Sequence, residues 1–163
     1  MFHPFTKNIL VRILLPVVFL FLFSGCAALK LNYFDRFESV NLTTFNNLIF
    51  VNITVNGKSG IFMVDTGASK SLLDINRADE YGYKYELYSK MKYFGIGGTQ
   101  EVYSVYDYSV KEFYIYLLAT DLSEITPYLK RNHIDIIGIV GSDFLNSRRA
   151  YVDYENLKLY YLN

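Results

Sequence analysis

From Leu42 onward the chain sets short apolar runs between turn residues, the pattern of a β protein. Leu48 to Val55 is rich in β-branched and aromatic positions. It stops at Asn56-Gly57, a pair that closes two-residue hairpins because both positions tolerate positive φ. Gly60 to Val64 reads as the returning strand, and Ser71 to Asp74 as a short strand beyond it. Asn76 to Glu80 begins a helical turn that Tyr81-Gly82 ends. Tyr85 to Phe94 and the stretch up to Val105 flank Gly95-Ile96-Gly97-Gly98, which predicts a hairpin with a glycine-rich tip. Asp107 to Leu118 alternates as a further strand. Leu122 to Asn132, which holds Pro127, reads as a loop with a helical turn. Ile134 to Val140 is an apolar strand ending at Gly141. Ser142-Asp143-Phe144-Leu145 then opens a short helix with Ser142 or Asp143 as its cap. Tyr151 to Asp153 and Leu157 to Tyr161 form a closing hairpin around Glu155-Asn156. So many short strands with so little helix predict an all-β barrel or sandwich rather than a doubly wound sheet.

Residues 1–25 stand outside this pattern. Lys7 and Arg12 give the segment positive charge without any acid, and Ile13 to Phe23 is apolar apart from Pro16. About 20 apolar residues are needed to span a bilayer, so this run reads as a secretory signal peptide. Ser24-Gly25-Cys26 follows and resembles the lipobox of bacterial lipoproteins, although Phe23 stands where that pattern usually has Leu. The resemblance implies cleavage and lipidation at Cys26, a membrane anchor, and a place in the bacterial cell envelope facing the periplasm or the cell surface. Secretion with cleavage after Ala27 or Ala28, or an uncleaved anchor, are the plainer readings. Residues 26–41 are of mixed polarity and read as a tether, which leaves 42–163 as the folded domain.

Composition narrows the chemistry. The chain is 52% hydrophobic and 20% charged, ordinary for a folded protein. Its 16 tyrosines and absent tryptophan favour half-buried strand faces. Net charge is zero and basic residues are scattered, so no nucleic-acid footprint is present. Losing the leader removes two of the 16 basic residues and leaves about −2. Cys26 is the single cysteine, so neither an internal disulfide nor a cysteine metal cluster is possible. The two histidines are His3, in the leader, and His133. A histidine metal site or a Ser-His triad is poorly supported, and no metal or cofactor is expected.

The most informative segment is Ile61-Phe62-Met63-Val64-Asp65-Thr66-Gly67-Ala68-Ser69, an apolar run that delivers one carboxylate into a turn of small residues. The chain then has Ile96-Gly97-Gly98 in its hairpin tip and Ile139-Val140-Gly141-Ser142-Asp143-Phe144-Leu145 near its end. In that order the three elements resemble the retroviral-type aspartic proteases, in particular bacterial secreted retropepsin-like members, over roughly residues 45 to 162. The resemblance implies a closed β-barrel with a flap hairpin and one short C-terminal helix. It also implies an aspartic endopeptidase acting on peptides or proteins.

One carboxylate does not serve as both acid and base, so the resemblance further implies a homodimer in which the two Asp65 side chains meet. Carboxylates about 3 Å apart cannot both ionise, so the pair shares a proton and activates a water. In that family the counterpart of Thr66 bonds across the dimer, and Gly67 permits the tight turn. Ala68, Ser69, Gly95, Ile96, Gly97 and Gly98 would contact substrate. Gly141 and its apolar neighbours would pack beneath the loop. Pepsin-like enzymes often carry Ser or Thr at the Ala68 position, where the hydroxyl helps keep an aspartate ionised. Its loss implies an optimum between mildly acidic and near neutral.

Plainer readings exist for each feature. Asp is common in turns beside Gly, so Asp65 has a bland alternative. Ser69 and Ser71 do not complete a nucleophile elbow, because Ser71 occupies its last glycine position; both read as turn or strand hydroxyls. The tip glycines lack the Lys-Ser/Thr of a phosphate loop. Asp74, Asp107, Asp135 and Asp153 read as surface or turn acids, and His133 as solvated. At the level of function, the alternatives are a catalytically silent peptide-binding module or a structural envelope lipoprotein of the same fold.

Overall fold

The structure, a computed structural model, describes residues 35–95 and 98–162, with backbone alone for 87–95 and 98–100. The segment expected to be a signal peptide, Cys26, Ile96 and Gly97 lie outside the described residues. Ten strands form one sheet in the order β5-β6-β7-β4-β8-β3-β2-β1-β10-β9. They are β1 (Phe37–Phe45), β2 (Leu48–Val55), β3 (Lys58–Val64), β4 (Leu72–Asp74), β5 (Lys84–Gly95), β6 (Gly98–Tyr106), β7 (Leu118–Thr120), β8 (Ile136–Val140), β9 (Tyr151–Asp153) and β10 (Lys158–Leu162). Three short helices accompany them: α1 (Ala78–Tyr81), α2 (Thr126–Arg131) and α3 (Ser142–Ser147). The chain is therefore all-β, with the flap-type β5–β6 hairpin in place and Gly95 opposite Gly98 at its end.

The centre of the sheet follows from local chemistry. Asn56 has φ 47° and Gly57 φ 81°, the turn that folds β3 back on β2 from Val55–Lys58 to Ile49–Val64. Asn46 and Asn47 repeat the device at φ 48° and 63° and join β1 to β2. β3 then lies parallel to β8, whose five residues are all buried. One face of the sheet packs Val51, Ile53, Phe62, Leu73, Leu117, Val140 and Leu159 into the main core. The other face packs Phe50, Ile136 and Leu129 of α2 into a smaller cluster. Burial on both sides is why β8 reads as a continuous apolar run.

Four sequence expectations change. The sheet begins at Phe37 rather than Leu42, so the last part of the expected tether is strand; β1 buries only Leu42 and gave no apolar signal. Asp107 to Leu118 forms no long strand. Phe113, Ile115 and Leu117 do alternate inward, but a single bridge, Val55 to Val110, is its pairing before β7. Beyond the two backbone bonds at that bridge, Asn56 N to Ser109 O and Lys111 N to Thr54 O, side chains take part: Asn56 Oδ1 accepts from Ser109 N, and the Tyr108 hydroxyl accepts from Leu117 N. The barrel does not close, since the strand order runs open from β5 to β9. Asp74, expected as a surface or turn acid, is a turn acid that caps the 3-10 turn Ile75–Arg77, but it is buried at 4% exposed. Its carboxylate accepts from Asn76 N and Leu122 N, and the Tyr83 hydroxyl donates to its carbonyl.

Candidate active site

Asp65 is the first residue beyond β3. Its N–H donates to Val140 O at 3.0 Å, which continues the β3–β8 pairing by one rung and fixes where the chain leaves the sheet. The turn follows at once. Asp65 Oδ1 accepts from Gly67 N at 2.8 Å, and Ala68 N donates to Asp65 O at 3.2 Å. The carboxylate is thus held by its own loop, half-buried, while Thr66, Gly67 and Ser69 are exposed. A carboxylate so placed is available to a partner group arriving from solvent.

The other end of the loop is tied to the β8–α3 junction. Ala68 O accepts from both Ser142 N at 2.8 Å and Ser142 Oγ at 3.0 Å. Ser71, 0% exposed, donates its hydroxyl to Asp143 Oδ1 at 2.7 Å and accepts from Gly141 N at 2.9 Å. Its carbonyl accepts from Leu118 N, which brings β7 to the same point. Gly141 fits because it has no side chain. A Cβ there would lie 2.4 Å from Lys70 O and 2.9 Å from Ala68 O, inside the loop backbone. The expected packing of Gly141 beneath the loop is what the geometry has.

Two side chains have roles the sequence did not reveal. Asp143 does not cap α3; the cap position is Gly141, without a side-chain bond, and Ser142 turns its hydroxyl to Ala68. Asp143 Oδ1 instead takes the Ser71 hydroxyl together with Phe144 N. Ser71 is correspondingly a buried strut and not a simple strand hydroxyl. A Ser and an Asp 72 residues apart carry no local mark of their pairing.

Of the expected substrate contacts, Ala68 and Ser69 share the loop with Asp65. Gly95 and Gly98 sit at the end of the β5–β6 hairpin, and Ile96 and Gly97 lie outside the described residues. Among the described residues, no group of three or more His, Cys, Asp or Glu is placed to hold a metal ion. His133 is exposed, on a left-handed backbone at φ 62° after α2.

A strand-borne Asp-Thr-Gly turn is thus braced by an apolar-apolar-Gly strand. The family described as gag-polyprotein putative aspartyl protease matches residues 51–147, and the chain belongs to that family. No curated protein matches it. Among solved structures it is similar to the EIAV protease complexed with the inhibitor HBY-793, at 21% identity and TM-score 0.46, covering 64% of this chain and 93% of that one. It is also similar to a retropepsin-like aspartic protease from Rickettsia conorii, at 18% identity and TM-score 0.46, covering 77% and 93%. The retroviral protease-like domain of Ddi1 from Leishmania major follows at 20% identity and TM-score 0.39, covering 71% and 94%. The family assignment rests on the matched segment.

Proposed function

We propose that this protein is an aspartic endopeptidase whose catalytic dyad is formed by Asp65 from each of two copies of the chain. The ionised member of the dyad takes a proton from water, and the water oxygen attacks the scissile carbonyl. The protonated member gives its proton to the carbonyl oxygen. The tetrahedral intermediate then collapses: the C–N bond breaks, the amine nitrogen leaves with the proton the first carboxylate took from water, and the hydroxyl proton returns to the other carboxylate. The two titration steps then belong to the pair and not to either residue. Thr66 and Gly67 shape the turn. The peptide lies extended beneath the β5–β6 hairpin and pairs with its backbone. Ala68, Ser69 and the hairpin tip from Gly95 to Gly98 form the contacts to it.

The observation that carries this reading is the placement of Asp65. It sits one residue past a buried strand, braced from below and exposed on its far side through Thr66 and Gly67. The apolar leader and Cys26 support a second part of the proposal, anchorage of the domain to a membrane of the cell envelope through a lipidated cysteine.

The test is cleavage of a diverse peptide library by wild-type protein and by Asp65→Asn, across acidic to mildly alkaline pH, with the oligomeric state recorded alongside. Cleavage that disappears in the variant is the expected result. Wild-type protein that is dimeric yet cleaves nothing would replace the proposal with a peptide-binding role.

A further inference from the structure

We propose that Lys70 selects the substrate of the Asp65 site by pairing with an acidic side chain two or three residues from the scissile bond. The inference deepens the endopeptidase reading above and rests on it for the choice of a peptide as ligand.

The strand registers place Lys70 beside Asp65. β3 and β4 flank β8, with Met63 and Leu72 both opposite Ile139. Partners in a ladder share a face, so these side chains lie on one side of the sheet. Phe62, Gly138 and Leu73 alternate with them on the other side, where Phe62 and Leu73 enter the main core. Asp65 is two residues beyond Met63, and Lys70 is two residues before Leu72. Both therefore reach the level of Gly141, one on each flank of β8. Atomic contacts agree: Asp65 N donates to Val140 O, and a Cβ on Gly141 would lie 2.4 Å from Lys70 O. Two strand spacings of about 4.8 Å put the two residues about 10 Å apart. Ser71, next to Lys70, turns its hydroxyl beneath the loop to Asp143. Alternation then sends the Lys70 side chain the other way, to the side of Leu72 and Asp65.

The lysine has a use for a ligand. It is half-buried, yet among the described residues no carboxylate pairs with it. Lys58, Arg77, Lys84 and Lys130, by contrast, each have an acidic partner. A partly desolvated ammonium gains from a carboxylate that arrives with the substrate. Between Asp65 and β4 the loop has no other charged side chain. In the dimer, two Asp65 side chains that share one proton carry a single negative charge, and the two Lys70 side chains carry two positive ones. The charge balance of the paired loops favours an acidic peptide over a basic one.

Geometry sets the position of the acid. An extended peptide advances about 3.4 Å per residue, so the second and third residues from the cleaved bond lie about 5–8 Å from it. That is within reach of an ammonium whose backbone stands about 10 Å from Asp65. The second copy puts another Lys70 on the far side of the dyad, so an acid is read on either side of the scissile bond.

The test uses acetylated, amidated peptides, which carry no terminal carboxylate. Each pair has a sequence that the wild-type protein cleaves and differs only in Glu or Gln at the second or third residue from the cleaved bond. kcat/KM should favour Glu about fivefold, and the preference should shrink as salt is raised. Lys70→Gln should abolish the preference, and Lys70→Glu should reverse it in favour of Gln. Each ratio is taken within one protein, so a general loss of activity or fold does not mimic the result. In parallel, Asp65→Asn protein, with and without Lys70→Glu, captures peptides from a diverse library without cleaving them. Equal rates for the Glu and Gln peptides, or a preference that survives Lys70→Glu, overturns this proposal and leaves the endopeptidase standing. Capture of acidic peptides that Lys70→Glu abolishes, with no cleavage by the wild type, overturns the endopeptidase and supports Lys70 as the selector of a bound peptide. Neither cleavage nor Lys70-dependent capture overturns both.

Discussion

Replacing Ser71 with Ala should destabilise the fold far more than the loss of one oxygen suggests. Ser71 is fully buried, and its hydroxyl both donates to Asp143 and accepts from Gly141 N. Without it the buried Gly141 N–H has lost its acceptor, a penalty of about 1–3 kcal/mol. The bond to the Asp143 carboxylate, of the charge-assisted kind, contributes about 1.5–3 kcal/mol. Asp143 is only half-buried and is still bonded to Phe144 N, so the lower end applies to it. The total is about 3 kcal/mol. For a unit running from Glu38 to Asn163, unfolding entropy of about 2.1 cal/mol/K per residue converts this to a fall of about 10 °C in Tm. The assay is thermal and urea unfolding at one fixed protein concentration, because a dimer's Tm depends on concentration. Asp143→Asn keeps an acceptor for the hydroxyl and should lose about 1 kcal/mol. A loss below about 1 kcal/mol for Ser71→Ala, or a larger loss for Asp143→Asn, would refute the strut.

Other outcomes follow from the same structure. Gly141→Ala places a Cβ against Lys70 and Ala68 backbone, so about 1–3 kcal/mol of strain falls on the Asp65 loop. Turnover of a cleaved peptide should drop tenfold or more, and unchanged kcat would contradict the bracing. Phe62→Ala, at a fully buried position in β3, should cost about 3–5 kcal/mol in urea unfolding. Stability should also fall in alkali. Burial first, and then the Asp74 charge, raise the Tyr83 phenol, and burial with Glu38 pushes Tyr161 up to about 12. The folded state keeps these protons where the unfolded chain, titrating near pH ~10, has lost them. The contribution is complete below that pH and disappears as pH rises toward the folded values. Tyr83→Phe should flatten the alkaline slope of unfolding free energy, and an unchanged slope would exclude Tyr83 as its source.

The parts legible in the sequence are those fixed by neighbours along the chain. Asn56-Gly57 sets the β2–β3 register, and the register with the apolar run sets where Asp65 emerges, so the position of the carboxylate was readable locally. The β5–β6 hairpin and the buried β8 were readable for the same reason. Asp107 to Leu118 alternates like a strand, and Phe113, Ile115 and Leu117 are buried, but a period of two does not say whether ladder or side chains satisfy the backbone, and no long strand forms there. β1 was hidden because its ladder with β2, and not apolar content, holds it in the sheet. Only the tertiary structure could pair Ser71 with Asp143, or turn Asp143 from a helix cap into a support for the Asp65 loop. Those contacts join segments brought together by the β3–β8 and β4–β8 pairings, and no local propensity encodes which distant hydroxyl a carboxylate will meet.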